Sequence, residues 1–126
     1  MKTLIIHPND RSTDFLRPIY QGLSCSTLIT RGTKLEVHKL IKEHDRIIMM
    51  GHGTPYGLLS VGAFTGAVYG GVIDDMTVPL LKNKECVFIW CNADQFMNRH
   101  ELNGFYSGMF ISEVGEATYC GLPGMS

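Results

Sequence analysis

The stretch Arg46-Ile47-Ile48-Met49-Met50-Gly51-His52-Gly53 joins a continuous apolar run to a turn that carries a histidine between two glycines. Continuous apolar runs, rather than alternating ones, are typical of strands buried on both faces of a parallel sheet. Cys86-Val87-Phe88-Ile89-Trp90 repeats this design and is followed directly by Cys91. The sequence therefore predicts two central strands, each of which ends close to a residue that can take part in chemistry.

Three further apolar segments are predicted to join the same sheet. Thr3-Leu4-Ile5-Ile6 ends at Pro8-Asn9-Asp10, where the chain is expected to turn. Two shorter segments, Thr27-Leu28-Ile29-Thr30 and Met109-Phe110-Ile111, extend the sheet to about five strands.

Helical patterns separate these strands. The clearest begins at Thr33, which can cap the helix while Glu36 reaches back to the backbone of Thr33, an arrangement known as a capping box. A weaker pattern covers residues 15–23, and because Pro18 is tolerated only in a first turn, this helix is expected to start later than its apolar pattern does. Three more caps are predicted: Asp74 or Asp75 for a short helix through Leu80-Leu81-Lys82, Asp94 for a helix near residues 95–106, and Ser112 for a last helix that stops at Gly121.

The alternation of strands and helices indicates the fold class. Such βαβ units form parallel sheets with right-handed crossovers and with helices on both faces. We therefore expect an α/β fold, a three-layer sandwich with a mainly parallel, flavodoxin-like sheet of about five strands, in one domain that covers residues 1–126. Residues 51–71 interrupt the alternation because they are rich in glycine, and they are predicted to form an irregular β-hairpin or flap.

The composition describes an ordinary globular chain. It has 126 residues, 44% of them apolar, and a formal net charge of −1. The basic residues are scattered, the apolar runs are far shorter than the ~20 residues of a membrane span, and His7-Pro8-Asn9-Asp10 stands where a signal peptide needs its apolar centre. We therefore expect a cytoplasmic protein that binds neither nucleic acid nor a membrane.

The cysteines are interpreted as thiols rather than as disulfides. They form no CxxC pair and no regular framework, and no secretion signal accompanies them. Cys25, Cys86 and Cys120 are expected to be packing residues, because cysteine is among the residue types that are most often buried.

His52 and Cys91 are predicted to form one site. Ligands of open parallel sheets bind at the carboxyl ends of the strands, and consecutive strands are usually neighbours. An imidazole beside a thiol favours the thiolate and can later protonate a leaving group. Gly53 leaves its backbone N–H unobstructed, so that this N–H and the N–H of Cys91 are candidates to stabilise an oxyanion in acyl transfer.

Three other polar residues are candidates for a supporting role. His7 and Asp10 follow the first strand, so that either is placed to orient the imidazole or to contact a substrate, although turn chemistry explains them equally well. Asp94 lies just beyond Cys91, where it can attract a basic substrate side chain or simply cap a helix.

Other classes of site have weaker support. Zinc accepts His and Cys ligands, but no close-spaced ligand pair accompanies His52 and Cys91. The GxSxG elbow of serine hydrolases and the glycine-rich loops of nucleotide-binding proteins are both missing. We therefore expect neither a metal nor a cofactor. Flavin binding stays only as an analogy with the flavodoxin-like fold.

The arrangement of a strand followed by His-Gly and then a strand followed by Cys resembles the caspase-like fold of clan CD cysteine peptidases, which includes caspases, metacaspases, gingipains and CHAT-domain proteases. The resemblance covers residues 46–94: Ile47 to Gly53, the glycine-rich flap, Asp74 with Val78-Pro79-Leu80-Leu81, and Val87-Phe88-Ile89-Trp90-Cys91. It implies that His52 and Cys91 are a catalytic dyad, with oxyanion N–H groups from Gly53 and Cys91. It also implies a peptide or protein substrate, and a homodimer is one open expectation.

Two departures from the family pattern support a second hypothesis. Trp90 stands where many relatives have a small residue before the cysteine, and Asn92-Ala93-Asp94 follow where a glycine is common. The chain is also shorter than a caspase catalytic unit. The alternative hypothesis is therefore a non-catalytic caspase-like or flavodoxin-like module that binds a partner.

Overall fold

The structure is a computed structural model, and it describes residues 2–23, 26–66, 71–102 and 104–107. The predicted strand at residues 109–111 and the predicted helix from Ser112 lie outside these ranges, as do Cys25 and Cys120. The elements in chain order are β1 (Thr3–Ile6), a 3-10 helix (Arg11–Ile19), β2 (Ser26–Ile29), β3 (Gly32–Thr33), α1 (Lys34–Glu43), β4 (Arg46–Met50), β5 (Gly53–Thr54), β6 (Gly57–Leu59), β7 (Phe64–Thr65), β8 (Gly71–Ile73), α2 (Val78–Leu81), β9 (Glu85–Ile89), α3 (Ala93–His100) and β10 (Phe105–Ser107).

Five of the strands form one parallel sheet. Their order across the sheet is β10-β9-β4-β1-β2, and every neighbouring pair is parallel. Counted along the chain, this order is 2-1-3-4-5, so the winding direction switches between β1 and β4. The prediction of an α/β fold with a parallel sheet of about five strands is confirmed.

The fifth strand of this sheet is β10, and it lies in a stretch that was predicted to belong to a helix near residues 95–106. That prediction is wrong at its end, because α3 stops at His100 and Glu101 takes a left-handed conformation with φ of 54°. Phe105 and Tyr106 then pair with Val87 and Phe88 of β9. Aromatic residues favour such pairing, which depends on a partner distant in sequence.

The helices pack unequally on the two faces of the sheet. Helices α1, α2 and α3 bury their apolar sides in a large core with one set of strand residues. The opposite face carries a smaller cluster that the 3-10 helix covers through Leu16 and Tyr20. We call it the minor core, and its buried members are Ile5, Leu16, Tyr20, Ile48, Met50 and Ile89.

The first helical segment differs from the prediction of a helix over residues 15–23. It spans Arg11–Ile19 as a 3-10 helix, and Asp10 caps it by accepting a hydrogen bond from the backbone of Ser12 at 3.1 Å. Pro18 lies inside this segment, where it has no N–H for an α-helical bond. The expectation that this helix starts later than its apolar pattern is therefore wrong, because the cap at Asp10 starts it earlier.

The glycine-rich stretch forms the flap expected from the sequence. Strands β5, β6 and β8 make a three-stranded antiparallel sheet, which we call the flap, while β3 and β7 pair separately. Gly57 is required in the flap, because its φ is 146° and a Cβ there would lie 1.8 Å from the carbonyl oxygen of Ile73.

Capping at the other helices is partly as predicted. Thr33 caps α1 and accepts a hydrogen bond from the backbone of Glu36 at 3.1 Å. Neither Asp74 nor Asp75 caps α2, whose N-cap position is Thr77. Asp74 instead accepts from the backbone of Met76 and pairs with Lys34, which ties the start of α1 to the end of the flap.

Candidate active site

His52 and Cys91 lie at equivalent positions just beyond the ends of two neighbouring strands. The last paired residues of β4 and β9 are Met50 and Ile89, and each site residue comes two positions later. A backbone hydrogen bond of 3.1 Å from Gly51 to the carbonyl of Ile89 continues this pairing into the turn. The two residues therefore leave the sheet side by side at its carboxyl edge.

The imidazole of His52 is fixed by the start of the 3-10 helix. Its Nε2 lies 3.0 Å from Oδ2 of Asp10 and 2.6 Å from Oγ of Ser12. The hydroxyl of Ser12 donates to the same carboxylate at 2.8 Å, so its oxygen accepts from the imidazole. This network assigns the ring proton to Nε2. Within the part of the chain that the structure describes, Nδ1 of His52 has no hydrogen-bond partner, and its lone pair is available as a base.

Asp10 is held as a carboxylate. Hydrogen bonds from the side chain and the backbone of Ser12, followed by the proximity of His52, lower the pKa of Asp10 below its usual value. An ionised Asp10 can accept from Nε2–H and so keep the imidazole in one tautomer and one orientation. The contact between the carboxylate of Asp10 and Nε2 of His52 is what we expect of a residue that orients the imidazole.

Cys91 occupies a short turn between a strand and a helix. It is half-buried and packs against the minor core, on the face that also carries the 3-10 helix. Asn92 follows in a left-handed conformation with φ of 64°, and α3 begins at Ala93. Asn accepts this conformation more readily than most residues, so the chain turns directly after Cys91 and enters α3.

Trp90 links the cysteine turn to the flap. It is completely buried against Phe88 and Phe96, and its indole N–H donates to the carbonyl of Thr54 at 3.0 Å. Gly53 lies directly on this ring, because a Cβ at Gly53 would be 2.0 Å from Cδ1 of Trp90. Only a glycine fits after His52 in this packing.

The backbone N–H of Gly53 points away from β6, the neighbouring strand of the flap. The backbone of Leu59 donates to the carbonyl of His52 at 2.8 Å, and Gly53 pairs with Leu58 in the next register position. Hydrogen-bonded and non-hydrogen-bonded pairs alternate in an antiparallel ladder. Gly53 and Leu58 are therefore a non-hydrogen-bonded pair, which directs the N–H of Gly53 to the outer edge of β5.

Two of the candidate residues lie apart from this arrangement. His7 is buried, with Nδ1 2.8 Å from the hydroxyl of Tyr20 and Nε2 3.0 Å from that of Thr13, and burial lowers its pKa. Asp94 lies in the first turn of α3 and is not its cap, since Asn92 takes that position. In the described ranges, no hydrogen bond joins either residue to His52.

Ser12 is the site residue that sequence reasoning missed. Its role depends on the turn that brings residues 10–12 against His52, forty positions later in the chain. The available signal was Asp10 two positions before Ser12, a spacing that favours capping of a turn by the carboxylate.

A cavity of about 630 Å³ lies beside the flap, and neither His52 nor Cys91 is among the described residues that line it. Its walls come from the flap and from the turn before α2, and we call it the flap pocket. The described residues that line it are Thr54, Tyr56, Gly57, Leu59, Gly71, Asp74, Asp75 and Met76.

Comparison with protein-family models, with curated proteins and with solved structures finds no match. Among the described residues, no group of three or more His, Cys, Asp or Glu side chains is arranged to hold a metal ion. No helix in the same ranges has the length and apolar character needed to cross a membrane.

Proposed function

We propose that this chain is a caspase-like cysteine hydrolase that cleaves peptide bonds through His52 and Cys91. The observation that carries the proposal is the pairing of β4 with β9, because His52 and Cys91 each come two residues after the last paired residue of these strands. The contact of Asp10 with His52 supports it, because a fixed imidazole with an available Nδ1 is suited to acid–base catalysis.

The strand order supports the finer fold assignment within this proposal. The order 2-1-3-4-5 is that of flavodoxin-like sheets, in which ligands bind at the carboxyl edge. Along the chain, His52 follows the third strand of this sheet and Cys91 follows the fourth, which agrees with the order of strand-His-Gly and then strand-Cys on which the resemblance rests. A three-layer, caspase-like domain is therefore the fold that we propose.

The proposed reaction begins when Sγ of Cys91 attacks the carbonyl carbon of the substrate. A carbon–sulfur bond forms, the thiol proton passes to Nδ1 of His52, and the carbonyl oxygen becomes an oxyanion. The carbon–nitrogen bond then breaks, and the leaving amine takes the proton from His52. Water hydrolyses the thioester in a second step, which releases the acid and restores the thiol.

Backbone groups near the dyad provide the electrostatic part of the mechanism. The N–H of Gly53 points to the outer edge of β5, and with the N–H of Cys91 it is our proposed oxyanion hole. The N-terminus of α3 begins two residues after Cys91, and the positive end of a helix favours negative charge nearby.

A non-catalytic binding module with the same fold is the competing proposal. It is favoured by Trp90, whose buried indole fills the space beside Gly53 where a small residue would leave room. The two proposals differ in the reactivity that they assign to Cys91, and this difference can be measured.

The test is alkylation by iodoacetamide between about pH 6 and 9, followed at Cys91 by peptide mass spectrometry. We expect rapid labelling at the low end of this range in wild type and much slower labelling in His52→Ala. His44→Ala is the matched control and should label like wild type. Labelling that is no faster than that of a small free thiol, and unchanged in His52→Ala, would contradict the catalytic proposal and favour the binding module.

A further inference from the structure

The hydroxyl of Ser12 joins the carboxylate of Asp10 to the imidazole of His52. Its oxygen lies 2.6 Å from Nε2 of His52, closer than Oδ2 of Asp10, which lies 3.0 Å from the same nitrogen. We propose that Ser12 is a positioning residue of the site, which keeps the ring proton of His52 on Nε2 and so leaves Nδ1 to exchange a proton with Cys91. This role rests on the proposed peptide hydrolysis and adds a residue to its machinery.

Ser12 holds both carboxylate oxygens of Asp10. Its backbone N–H donates to Oδ1 at 3.1 Å, and its hydroxyl donates to Oδ2 at 2.8 Å. The side-chain bond and then the backbone bond are the largest causes that lower the pKa of Asp10. A serine hydroxyl has a single hydrogen to donate. Because Asp10 takes that hydrogen, the Ser12 oxygen can only accept from the imidazole.

Nε2 of His52 therefore faces two acceptors, the hydroxyl oxygen of Ser12 and the carboxylate of Asp10. A ring with its proton on Nδ1 would lose both hydrogen bonds and would set its Nε2 lone pair against these two oxygens. The imidazolium that forms when Cys91 gives up its proton keeps both bonds. Hydrogen bonds to a charged group are stronger than those to a neutral one. Ser12 thus favours the protonated ring more than the neutral ring.

The fold of this turn does not depend on the Ser12 hydroxyl. The backbone of Thr13 donates to the carbonyl of Asp10 at 3.0 Å, and Asp10 caps the 3-10 helix through the backbone of Ser12. Ser12 itself is exposed. Ser12→Ala therefore keeps the turn and the cap and removes the bridge between Asp10 and His52.

The first experiment locates the ring proton without any substrate. In ¹⁵N-labelled protein at alkaline pH, where imidazoles are neutral, correlations from the ring C–H protons distinguish a protonated ring nitrogen from an unprotonated one. The signals of His52 are those missing from His52→Ala. Wild type and Ser12→Thr should carry the proton on Nε2, whereas Ser12→Ala should move towards the tautomer mixture of free N-acetyl-histidinamide. A proton that stays on Nε2 as fully in Ser12→Ala as in wild type would overturn the proposal.

Ser26→Ala is the matched control. The hydroxyl of Ser26 donates to the carbonyl of Leu23 at 3.2 Å, so this variant loses a serine hydroxyl bond at another place in the fold. Its His52 ring should show the wild-type tautomer. The same tautomer change in Ser26→Ala and Ser12→Ala would contradict a specific role for Ser12.

The second experiment uses a peptide that wild type cleaves. Ser12→Ala should lower kcat by about two- to tenfold with KM unchanged, the effect of one hydrogen bond that matters most in the transition state. Ser12→Thr should recover most of this loss. The double variant Ser12→Ala/Asp10→Asn should be no slower than the slower single variant, because both residues act through Nε2. Losses that multiply in the double variant, or a change in KM alone, would count against the positioning role.

The outcomes separate this role from the proposed function. If Ser12→Ala changes the His52 tautomer but Cys91 shows no His52-dependent reactivity, Ser12 positions the ring and peptide hydrolysis fails. If peptides are cleaved but the tautomer and kcat are the same in Ser12→Ala as in wild type, hydrolysis stands and the role of Ser12 fails.

Discussion

Strand β4 has a histidine near each of its ends, and strand β9 has a cysteine near each of its ends. The two residues of each pair have different surroundings. His44 lies before β4 and His52 follows it, while Cys86 lies in the start of β9 and Cys91 follows its end. The amino edge and the carboxyl edge of the sheet therefore form a natural comparison within one molecule.

The two histidines differ in how their ring nitrogens are used. His44 is buried at the end of α1, with Nδ1 2.7 Å from the carbonyl of Leu40 and Nε2 2.9 Å from the hydroxyl of Thr27. Both of its nitrogens are thus committed to holding α1 against β2. His52 uses only Nε2 among the described contacts, which leaves Nδ1 for a substrate.

The two cysteines differ in burial and in backbone setting. Cys86 is buried beside the carbonyl of Leu81, and burial raises its pKa to about 11. Cys91 is half-buried in a turn where the chain changes from strand to helix. The comparison teaches that the edge of the sheet, rather than the residue type, distinguishes a structural thiol from a candidate nucleophile.

Replacing the two cysteines should give the largest contrast. Cys91→Ala should lower peptide hydrolysis by about 10³-fold or more, because no other group in the proposed mechanism forms the acyl intermediate. Cys86→Ala should retain activity and lose only about 1 kcal/mol of stability. Peptide-library cleavage and urea unfolding measure the two effects. Equal losses of activity in both variants would remove the distinction between the edges.

Replacing the two histidines should give the next largest contrast. His52→Ala should lower kcat/KM by about 10²-fold, the usual range for loss of a general acid–base group. His44→Ala should leave kcat/KM nearly unchanged but destabilise the fold by about 1–3 kcal/mol, because two buried polar groups lose their partner. The prediction fails if His44→Ala is the variant that loses activity in its folded state.

One glycine at each edge of the sheet allows the packing there to be tested by substitution with alanine. A Cβ at Gly53 would meet the ring of Trp90, and a Cβ at Gly104, where φ is 149°, would lie 2.3 Å from the carbonyl oxygen of Cys86. Gly53→Ala and Gly104→Ala should each destabilise the fold by about 1–3 kcal/mol, as over-packing usually does. Only Gly53→Ala should also lower kcat at temperatures where both variants are folded. A matching loss of kcat in Gly104→Ala would argue against a local role for Gly53.

Asp10 should have a smaller effect than these residues. Its contact with His52 is partly exposed, and such ion pairs contribute about 0.2–1 kcal/mol, so Asp10→Asn should lower kcat/KM by at most about fivefold. Asp14→Asn is the matched control, because Asp14 lies on the same 3-10 helix and pairs with Arg17 instead. If both variants behave identically, Asp10 does not position the imidazole.

His7 lies next to the carboxyl edge but is expected to behave like a structural residue. Burial lowers its pKa in the folded state below the usual histidine value of about 6.5, so protonation favours the unfolded chain. Stability should therefore be fully present above about pH 6.5 and should fall as the pH drops through the folded-state pKa. Urea midpoints between about pH 8 and 5 should decline less in His7→Gln than in wild type. Parallel curves would contradict this assignment.

The central part of the sheet was predictable because each of its strands is a continuous apolar run that can be recognised in the local sequence. The apolar runs that form β1, β4 and β9 need no knowledge of their partners, and the order of strands follows from general rules of connection. The strand β10 was not predictable, since Phe105 and Tyr106 form a strand only by pairing with β9. The 3-10 helix was misplaced because its position depends on the cap at Asp10.

The candidate site shows the same limit. The positions of His52 and Cys91 follow from where β4 and β9 end, which the sequence indicates directly. Three features depend on tertiary contacts instead: the hydrogen bond of Ser12 to His52, the burial of His7 against Tyr20, and the packing of Gly53 on Trp90. Local patterns carry no information about such contacts.

The position of Trp90 gives the protein a spectroscopic reporter. It is the single tryptophan of the chain, it is fully buried, and its indole N–H is bonded to the flap beside Cys91. Its fluorescence therefore reports on one place alone, where the large core, the flap and the cysteine turn meet. Loss of the bond to Thr54 and alkylation of the neighbouring Cys91 each change the surroundings of this indole, so that folding and modification of the cysteine can be followed without an added label.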